Sequence, residues 1–289
     1  MKKIILFVFL FLVACSPAYQ PATEIPIAET MIMPTAEQAT PQAEVPTSVI
    51  ESPLSTLPPG PLTLVALGDS LTQGDGDDSG QGGYTGRLLN KINQVRPEST
   101  LLNLGQSGWS SDALINGDQG IASQLDRAVV ELQNAIAQGR GAVALVWIGS
   151  NDLWYLYEYG GDVTDEGDTQ DTLRFSSNMD LILSRLRGTG ATVLVALLDD
   201  QSQRPVALKG EAFTSITPDE LQRMSVQVQR YNEIISEKVA QYQAETVDFY
   251  HTDIFTNPAT LYDDGNHPNQ AGYDIIAQMW FEAMSKLLN

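Results

Sequence analysis

From residue 61 onward, short apolar runs alternate with longer amphipathic stretches. Apolar runs of this length, bounded by polar and glycine-rich residues, are typical of buried strands. Five are predicted, at residues 62–67, 100–104, 142–148, 192–198 and 246–249. The amphipathic stretches predict helices at 83–96, 119–138, 173–187 and 218–241, and a last helix from about Pro268 to 288.

This strand–helix alternation predicts an α/β domain with a parallel sheet of about five strands covered by helices on both faces. Ligands of such sheets bind beyond the carboxyl ends of the strands. The residues that directly follow each strand are therefore the first candidates for a functional site.

The N-terminus has a different pattern. Two lysines precede an apolar run of about a dozen residues, which is too short for the roughly 20-residue span of a membrane helix. Residues 1–14 are typical of a secretory signal peptide. Leu12 to Cys15 resembles the lipobox of bacterial lipoproteins, in which the cysteine is lipidated and becomes the first residue of the mature chain. The resemblance implies an extracytoplasmic protein anchored to a membrane at Cys15; an ordinary cleaved signal peptide is the alternative.

Residues 15–60 predict a disordered tether. They contain nine prolines, many Thr and Glu residues, and no lysine or arginine, a composition that cannot bury a core. The remaining domain, 61–289, carries 31 acidic and 14 basic residues, a charge of −17. Such an acidic surface repels phosphate backbones, so we expect no nucleic-acid partner.

Polar and glycine-rich segments follow the predicted strands. They lie at residues 68–72, 103–109, 149–152 and 263–268. The first segment contains Ser70 and the last contains Asp264 and His267. A serine needs a base to become a nucleophile, and histidine is the usual one. Asp264, three residues before His267, is placed to orient the imidazole. A helix cap is the alternative role for Ser70.

Acyl transfer also needs hydrogen-bond donors for a developing oxyanion. The backbone N–H of Gly108 and the side-chain amide of Asn151 lie in the second and third of these segments and fit that role. This chemistry requires neither a metal nor a cofactor.

The four segments together resemble the sequence blocks of the SGNH hydrolases, the GDSL family of esterases and lipases. The resemblance covers residues 61–289 and implies a three-layer α/β/α sandwich of the flavodoxin type. It implies Ser70 as the nucleophile, with Asp264 and His267 completing the triad. It adds the Ser70 amide to Gly108 and Asn151 as oxyanion donors. The G-x-S-x-G elbow of the α/β-hydrolases is absent from the sequence.

Aromatic residues near the oxyanion segments are candidates for substrate binding. Trp109 follows Gly108, and Trp154 and Tyr155 follow Asn151 closely. Their faces can stack on sugar rings or line an acyl pocket. The alternative is a packed loop or short helix over the core.

Three further features have structural explanations. Asp69 is expected to hydrogen-bond the turn backbone, and His251 to be a partly buried packing histidine. Residues 75–80 resemble the first half of a calcium loop, but position twelve is Gly86 rather than glutamate. We interpret this segment as an acidic loop beside Ser70.

The sequence therefore predicts a tethered serine esterase that acts on short-chain or O-acetyl esters of small molecules or carbohydrates. Alternatives on the same fold are a lysophospholipase or thioesterase, an acyltransferase that shares the acyl-enzyme, and a non-catalytic binding lipoprotein. The sequence alone leaves these open.

Overall fold

A computed structural model describes residues 57–160, 163–210 and 213–288. The predicted signal peptide, Cys15 and nearly all of the predicted tether lie outside the described residues. The described chain contains five strands, β1 to β5, at Leu62–Gly68, Thr100–Asn103, Gly141–Trp147, Thr192–Leu197 and Glu245–Asp248.

The five strands form one parallel sheet with the order β2-β1-β3-β4-β5. This is the flavodoxin-type order, in which the chain reverses direction across the sheet between β1 and β3. All residues of β1 and β3 are buried, whereas the edge strands β2 and β5 are partly exposed. Central strands of a parallel sheet are covered on both faces, which explains their continuous apolar sequences.

Helices cover the sheet and flank its carboxyl edge. In chain order, α1 to α9 are Ser70–Gln73, Gly83–Val95, Ser111–Asn116, Gln124–Ala137, Ser150–Tyr159, Asp165–Arg187, Pro205–Lys209, Pro218–Gln241 and Gln270–Ser285. Helices α2 and α9 pack together on one face, and α4, α6 and α8 form the layer on the other. The predicted three-layer α/β/α architecture is confirmed.

Three predicted helix boundaries are wrong. Helix α4 begins only after its cap Ser123, because residues 118 and 121 pair in a short antiparallel bridge. Helix α6 begins at Asp165 rather than 173, because Thr164 caps a first turn that is polar and shows no apolar period. Pro268 precedes α9 instead of opening it, since Asn269 is the cap.

The folded unit extends further toward the N-terminus than residue 61. The side chain of Leu57 is buried in the core, and its backbone N–H donates to the carbonyl of Leu287 at 2.8 Å. In the described part of the chain, no helix combines the length and hydropathy needed to cross a bilayer.

Candidate active site

The turn after β1 presents Ser70 at the carboxyl edge of the sheet. Asp69 caps α1, and its carboxylate accepts from the N–H of Leu71 at 3.0 Å, which confirms the expected turn role. Ser70 is the first residue of α1, and the helix ends at Gly74 in the left-handed conformation. A serine at this position is held by backbone geometry on both sides, so its hydroxyl has a defined direction.

The loop before α9 brings His267 to Ser70. The Nε2 atom of His267 lies 2.9 Å from Ser70 Oγ, and its Nδ1 atom lies 2.6 Å from Asp264 Oδ2. A carboxylate only accepts hydrogen bonds, so in the neutral ring Nδ1 carries the proton and Nε2 accepts from the serine hydroxyl. These are the contacts that general-base activation of a serine requires.

Asp264 is well suited to remain ionised. Burial raises its pKa, but hydrogen bonds from His267 and from the backbone N–H of Asn266 outweigh burial and lower the pKa below its usual value. Its Oδ1 atom accepts both backbone N–H groups, at 2.8 and 2.9 Å, and Oδ2 is left for the imidazole. The carboxylate is thus fixed before it orients the ring.

The predicted oxyanion donors lie on the adjacent turns. Among the described residues, the N–H groups of Ser70 and Gly108 have no hydrogen-bond acceptor. The side-chain nitrogen of Asn151 donates one hydrogen bond to the carbonyl of Trp109 at 3.0 Å. Its second N–H remains available as a donor. Gly108 has φ +78°, a conformation that a residue with a side chain rarely adopts.

Helix α5 holds the Gly108 turn by two side chains on one face. The hydroxyl of Tyr155 donates to the carbonyl of Gly108 at 2.5 Å, four residues after the Asn151 contact to Trp109. Residues four apart on a helix point the same way, which is why both reach this turn. The sequence predicts a substrate-binding role for Tyr155 but gives no sign of its hydrogen bond to Gly108.

The end of β1 is fixed by a buried glutamine. The side-chain oxygen of Gln124 accepts from the N–H of Gly68, and its nitrogen donates to the Gly68 carbonyl, both at 2.8 Å. On the next strand, Asn103 donates to the carbonyl of Thr72 at 2.7 Å. Strand β1 and helix α1 are therefore tied from two sides, which immobilises the serine turn.

Sequence inspection missed Arg204, which supports the histidine loop. This side chain is only 2% exposed and pairs with both oxygens of Asp199 at 2.7 and 2.8 Å. It also donates to Asn266 Oδ1 at 2.8 Å, and its guanidinium lies 4.5 Å from the centre of the Phe255 ring. No local motif marks this arginine: Asp199 is only five residues away, but Asn266, which links it to the histidine loop, is 62 residues away.

A buried carboxyl group lies directly beneath the serine. Asp69 is fully buried, and desolvation raises its pKa to about 7, although the hydrogen bond from Leu71 and the charge of Arg204 lower it. The negative charges of Asp152 and Asp199 raise it further. Among the described atoms, Asp69 Oδ2 has no hydrogen-bond partner. The second oxygen is therefore suited to carry a proton near neutral pH.

The acidic loop at 75–80 packs against the histidine. Arg87 binds both carboxylate oxygens of Asp77, and Asp77 Oδ2 also accepts from the N–H of Gly83 at 2.8 Å. A Cβ atom on Gly76 would lie 3.0 Å from His267 Cβ. The described residues contain no group of three or more His, Cys, Asp or Glu side chains arranged to hold a metal ion.

Two expectations about individual side chains need correction. Trp154 is 2% exposed and stacks on Phe213 with ring centres 4.1 Å apart, so it is a packing residue rather than a substrate platform. His251 is not a packing histidine: its side chain is 74% exposed and pairs with Asp248 at 2.7 Å. Trp109 is largely buried but lines a cavity together with the half-exposed Tyr155.

Several solved structures have the same fold. They include the psychrotrophic esterase EstA from Pseudoalteromonas sp., in a structure inhibited by monoethylphosphonate, with a TM-score of 0.52, 18% identity and coverage of 78% of this chain and 98% of that chain. A variant of Axe2, an acetyl xylan esterase from Geobacillus stearothermophilus, has a TM-score of 0.51, 18% identity and coverage of 79% and 96%. The lipase Lip_vut3 from a goat rumen metagenome has a TM-score of 0.54, 19% identity and coverage of 77% and 97%.

At these identities the structural likeness shows the fold alone. No curated protein matches the chain significantly. The sequence of residues 66–275, which is well over half of the chain, matches the GDSL-like lipase/acylhydrolase family. On that match, and on the fold that accompanies it, this chain belongs to the GDSL-like lipase/acylhydrolase family and is a hydrolase.

Proposed function

We propose that this protein is a serine esterase that hydrolyses short-chain or O-acetyl carboxylic esters through an acyl-enzyme. The observation that carries the proposal is the pair of contacts at His267, to Ser70 Oγ at 2.9 Å and to Asp264 at 2.6 Å. A capping serine needs no imidazole at its hydroxyl, whereas a nucleophile does. The cap of α1 is supplied by Asp69 instead.

In the first half of the reaction, Ser70 Oγ attacks the acyl carbon while His267 Nε2 takes the hydroxyl proton. The tetrahedral oxyanion is stabilised by the N–H groups of Ser70 and Gly108 and by the Asn151 side chain. His267 then gives its proton to the departing alkoxide, which leaves as an alcohol. Asp264 stays ionised throughout and stabilises the imidazolium.

In the second half, water attacks the acyl-serine. His267 takes a proton from the water, the same donors hold the second oxyanion, and the proton returns to Ser70 Oγ as the acid leaves. Supply of another alcohol in place of water at this step would make the reaction an acyl transfer.

We also propose that the mature protein is held to a membrane through lipid on Cys15, on the extracytoplasmic side. The support is the sequence of residues 1–15. Detergent-phase partitioning of the expressed protein, beside Cys15→Ser, tests this: the wild type is expected in the detergent phase and the variant in the aqueous phase. An aqueous wild type contradicts lipidation.

The esterase proposal is tested with the full chain in mild detergent on p-nitrophenyl acetate, butyrate and octanoate. We expect turnover that falls as the acyl chain lengthens and a loss of at least about 10³-fold in kcat for Ser70→Ala, the scale seen on losing a triad member. Ser184→Ala is the matched control, because Ser184 lies on α6, more than 100 residues after Ser70 in the sequence. It is expected to keep the wild-type kcat. A folded but equally active Ser70→Ala would refute the proposal, and a rate that rises toward octanoate would favour a lipid substrate.

A further inference from the structure

A polar cavity opens beside the Gly108 turn. Its volume is about 480 Å³, within the range of about 300–1,000 Å³ that small-molecule sites occupy. One wall is the turn from Gln106 to Ser110, and the other is formed by α3 and the loop before α4. Its polar and aromatic lining includes Gln106, Asp112, Asn116, Asp118, Gln119 and Tyr155.

The cavity shares its wall with the candidate active site. Gly108, whose N–H is the proposed oxyanion donor, lines it directly. Ser107 also lines it, and the Ser107 N–H is bonded at 2.7 Å to the side chain of Gln73 at the end of α1. The cavity therefore begins at the residue whose N–H is the proposed oxyanion donor.

The lining is rich in amide and carboxylate groups. Asn116, Gln119 and Gln106 offer both donors and acceptors, and Asp118 offers acceptors. Small-molecule pockets are usually lined mainly by apolar side chains, which suit acyl chains. A pocket with so many hydrogen-bonding groups suits hydroxyl-bearing ligands, and the half-exposed ring of Tyr155 adds an aromatic surface.

The charge of the cavity is negative. Asp112 and Asp118 line it, and among the described residues no lysine or arginine does. The arginine that pairs with Asp112 is Arg174, but Arg174 also binds the carboxylates of Asp152 and Asp171. Three carboxylates against one guanidinium leave a negative surplus, which disfavours phosphate and carboxylate groups of a ligand.

We infer that this cavity binds the alcohol part of the ester and selects a neutral polyhydroxylated alcohol, such as a sugar unit, over anionic and over purely apolar ones. The inference rests on the proposed esterase function and deepens it. It favours acetylated carbohydrate over lysophospholipid and coenzyme A thioesters, because both of those carry phosphate.

The test compares three esters with the full chain: a monoacetylated methyl β-xyloside, a monoacetylated methyl glucuronide as its carboxylate, and p-nitrophenyl acetate. We expect kcat/KM for the neutral xyloside to exceed that for the glucuronide at least tenfold. We expect Asn116→Ala to lower the ratio of kcat/KM on xyloside acetate to that on p-nitrophenyl acetate about fivefold. Asp118→Asn is expected to reduce the discrimination against the glucuronide by a similar factor.

Asn134→Ala, at an exposed asparagine on α4, is the matched control and is expected to leave both ratios unchanged. Equal kcat/KM values on the neutral and anionic sugar esters, or an unchanged ratio in Asn116→Ala, would overturn the inference. The esterase proposal would still stand if turnover of p-nitrophenyl acetate depended on Ser70. Absence of Ser70-dependent turnover on all three esters would overturn both.

Discussion

Arg204 and Asn266 are joined by a 2.8 Å hydrogen bond that links the segment after β4 to the loop carrying Asp264 and His267. A second link runs beside it, since the N–H of Val206 donates to the carbonyl of Gly265 at 3.1 Å. The arginine is itself held by both oxygens of Asp199. The histidine loop is thus held by the segment between β4 and α8 as well as by its own internal hydrogen bonds.

Asn266→Ala removes the acceptor of this bond and leaves the Arg204–Asp199 pair in place. We expect kcat on p-nitrophenyl acetate to fall about tenfold with little change in KM, because small misplacement of a catalytic group is costly in rate. Asn257→Ala, in the same long loop, is the control and is expected to leave kcat unchanged. An Asn266→Ala enzyme with wild-type kcat would show that the bond has no positioning role.

Tyr155→Phe tests the support of the oxyanion turn. Loss of a hydroxyl bonded to the Gly108 carbonyl at 2.5 Å is expected to lower kcat about fivefold, in line with about 1 kcal/mol for one hydrogen bond. The control is Tyr159→Phe, one turn further along α5, where the side chain is 74% exposed. Equal kcat values for the two variants would contradict the proposed support.

Gly76→Ala tests whether the acidic loop controls the position of His267. A Cβ atom there would lie 2.6 Å from the Pro268 carbonyl oxygen and 3.0 Å from His267 Cβ, so the acidic loop and the histidine loop must move apart. We expect at least about a tenfold loss of kcat. Gly80→Ala is a close control: its φ is +74° against +84° for Gly76, so both variants bear similar backbone strain, but nothing lies within 4 Å of its Cβ. Equal activity in the two variants would rule out the steric link.

Asp69 is expected to make stability depend on pH. Its pKa is about 7 in the folded protein and about 4 when unfolded, so between these values the folded state binds more protons. Stability contributed by this group is therefore lost as the pH rises from about 4 to 7, by at most about 4 kcal/mol. Below pH 4 both states are protonated, so the full stabilisation is present and no longer changes with pH through this group.

Thermal unfolding of the wild type and Asp69→Asn from pH 4.5 to 8 measures this effect. We expect the melting temperature of the wild type to fall relative to the variant as the pH rises through this window. Asp78→Asn, at an exposed carboxylate in the next loop, is the control for the loss of one negative charge. A constant difference between wild type and Asp69→Asn at every pH would contradict a shifted pKa.

Much of the fold followed from hydrophobic patterning. The predicted bounds of all five strands agree with the structure to within one residue at each end. The pattern is clearest for β1 and β3, which are buried on both faces and are almost wholly apolar. The start of α6 was missed because residues 165–172 are polar and their helical state depends on the Thr164 cap and on packing against α8. Apolar periodicity cannot reveal a helical turn that contains few apolar residues.

The residues of the candidate site were identifiable by type and order, and Asp264 and His267 are close enough in sequence for local geometry to pair them. The Ser70–His267 contact joins residues 197 positions apart. It forms because the segments that follow β1 and β5 both leave the sheet at its carboxyl edge. The supports of the site, Arg204 to Asn266 and Tyr155 to Gly108, were decided by tertiary structure alone. Many arginines and tyrosines in the sequence are equivalent until folding determines which of them has a distant partner.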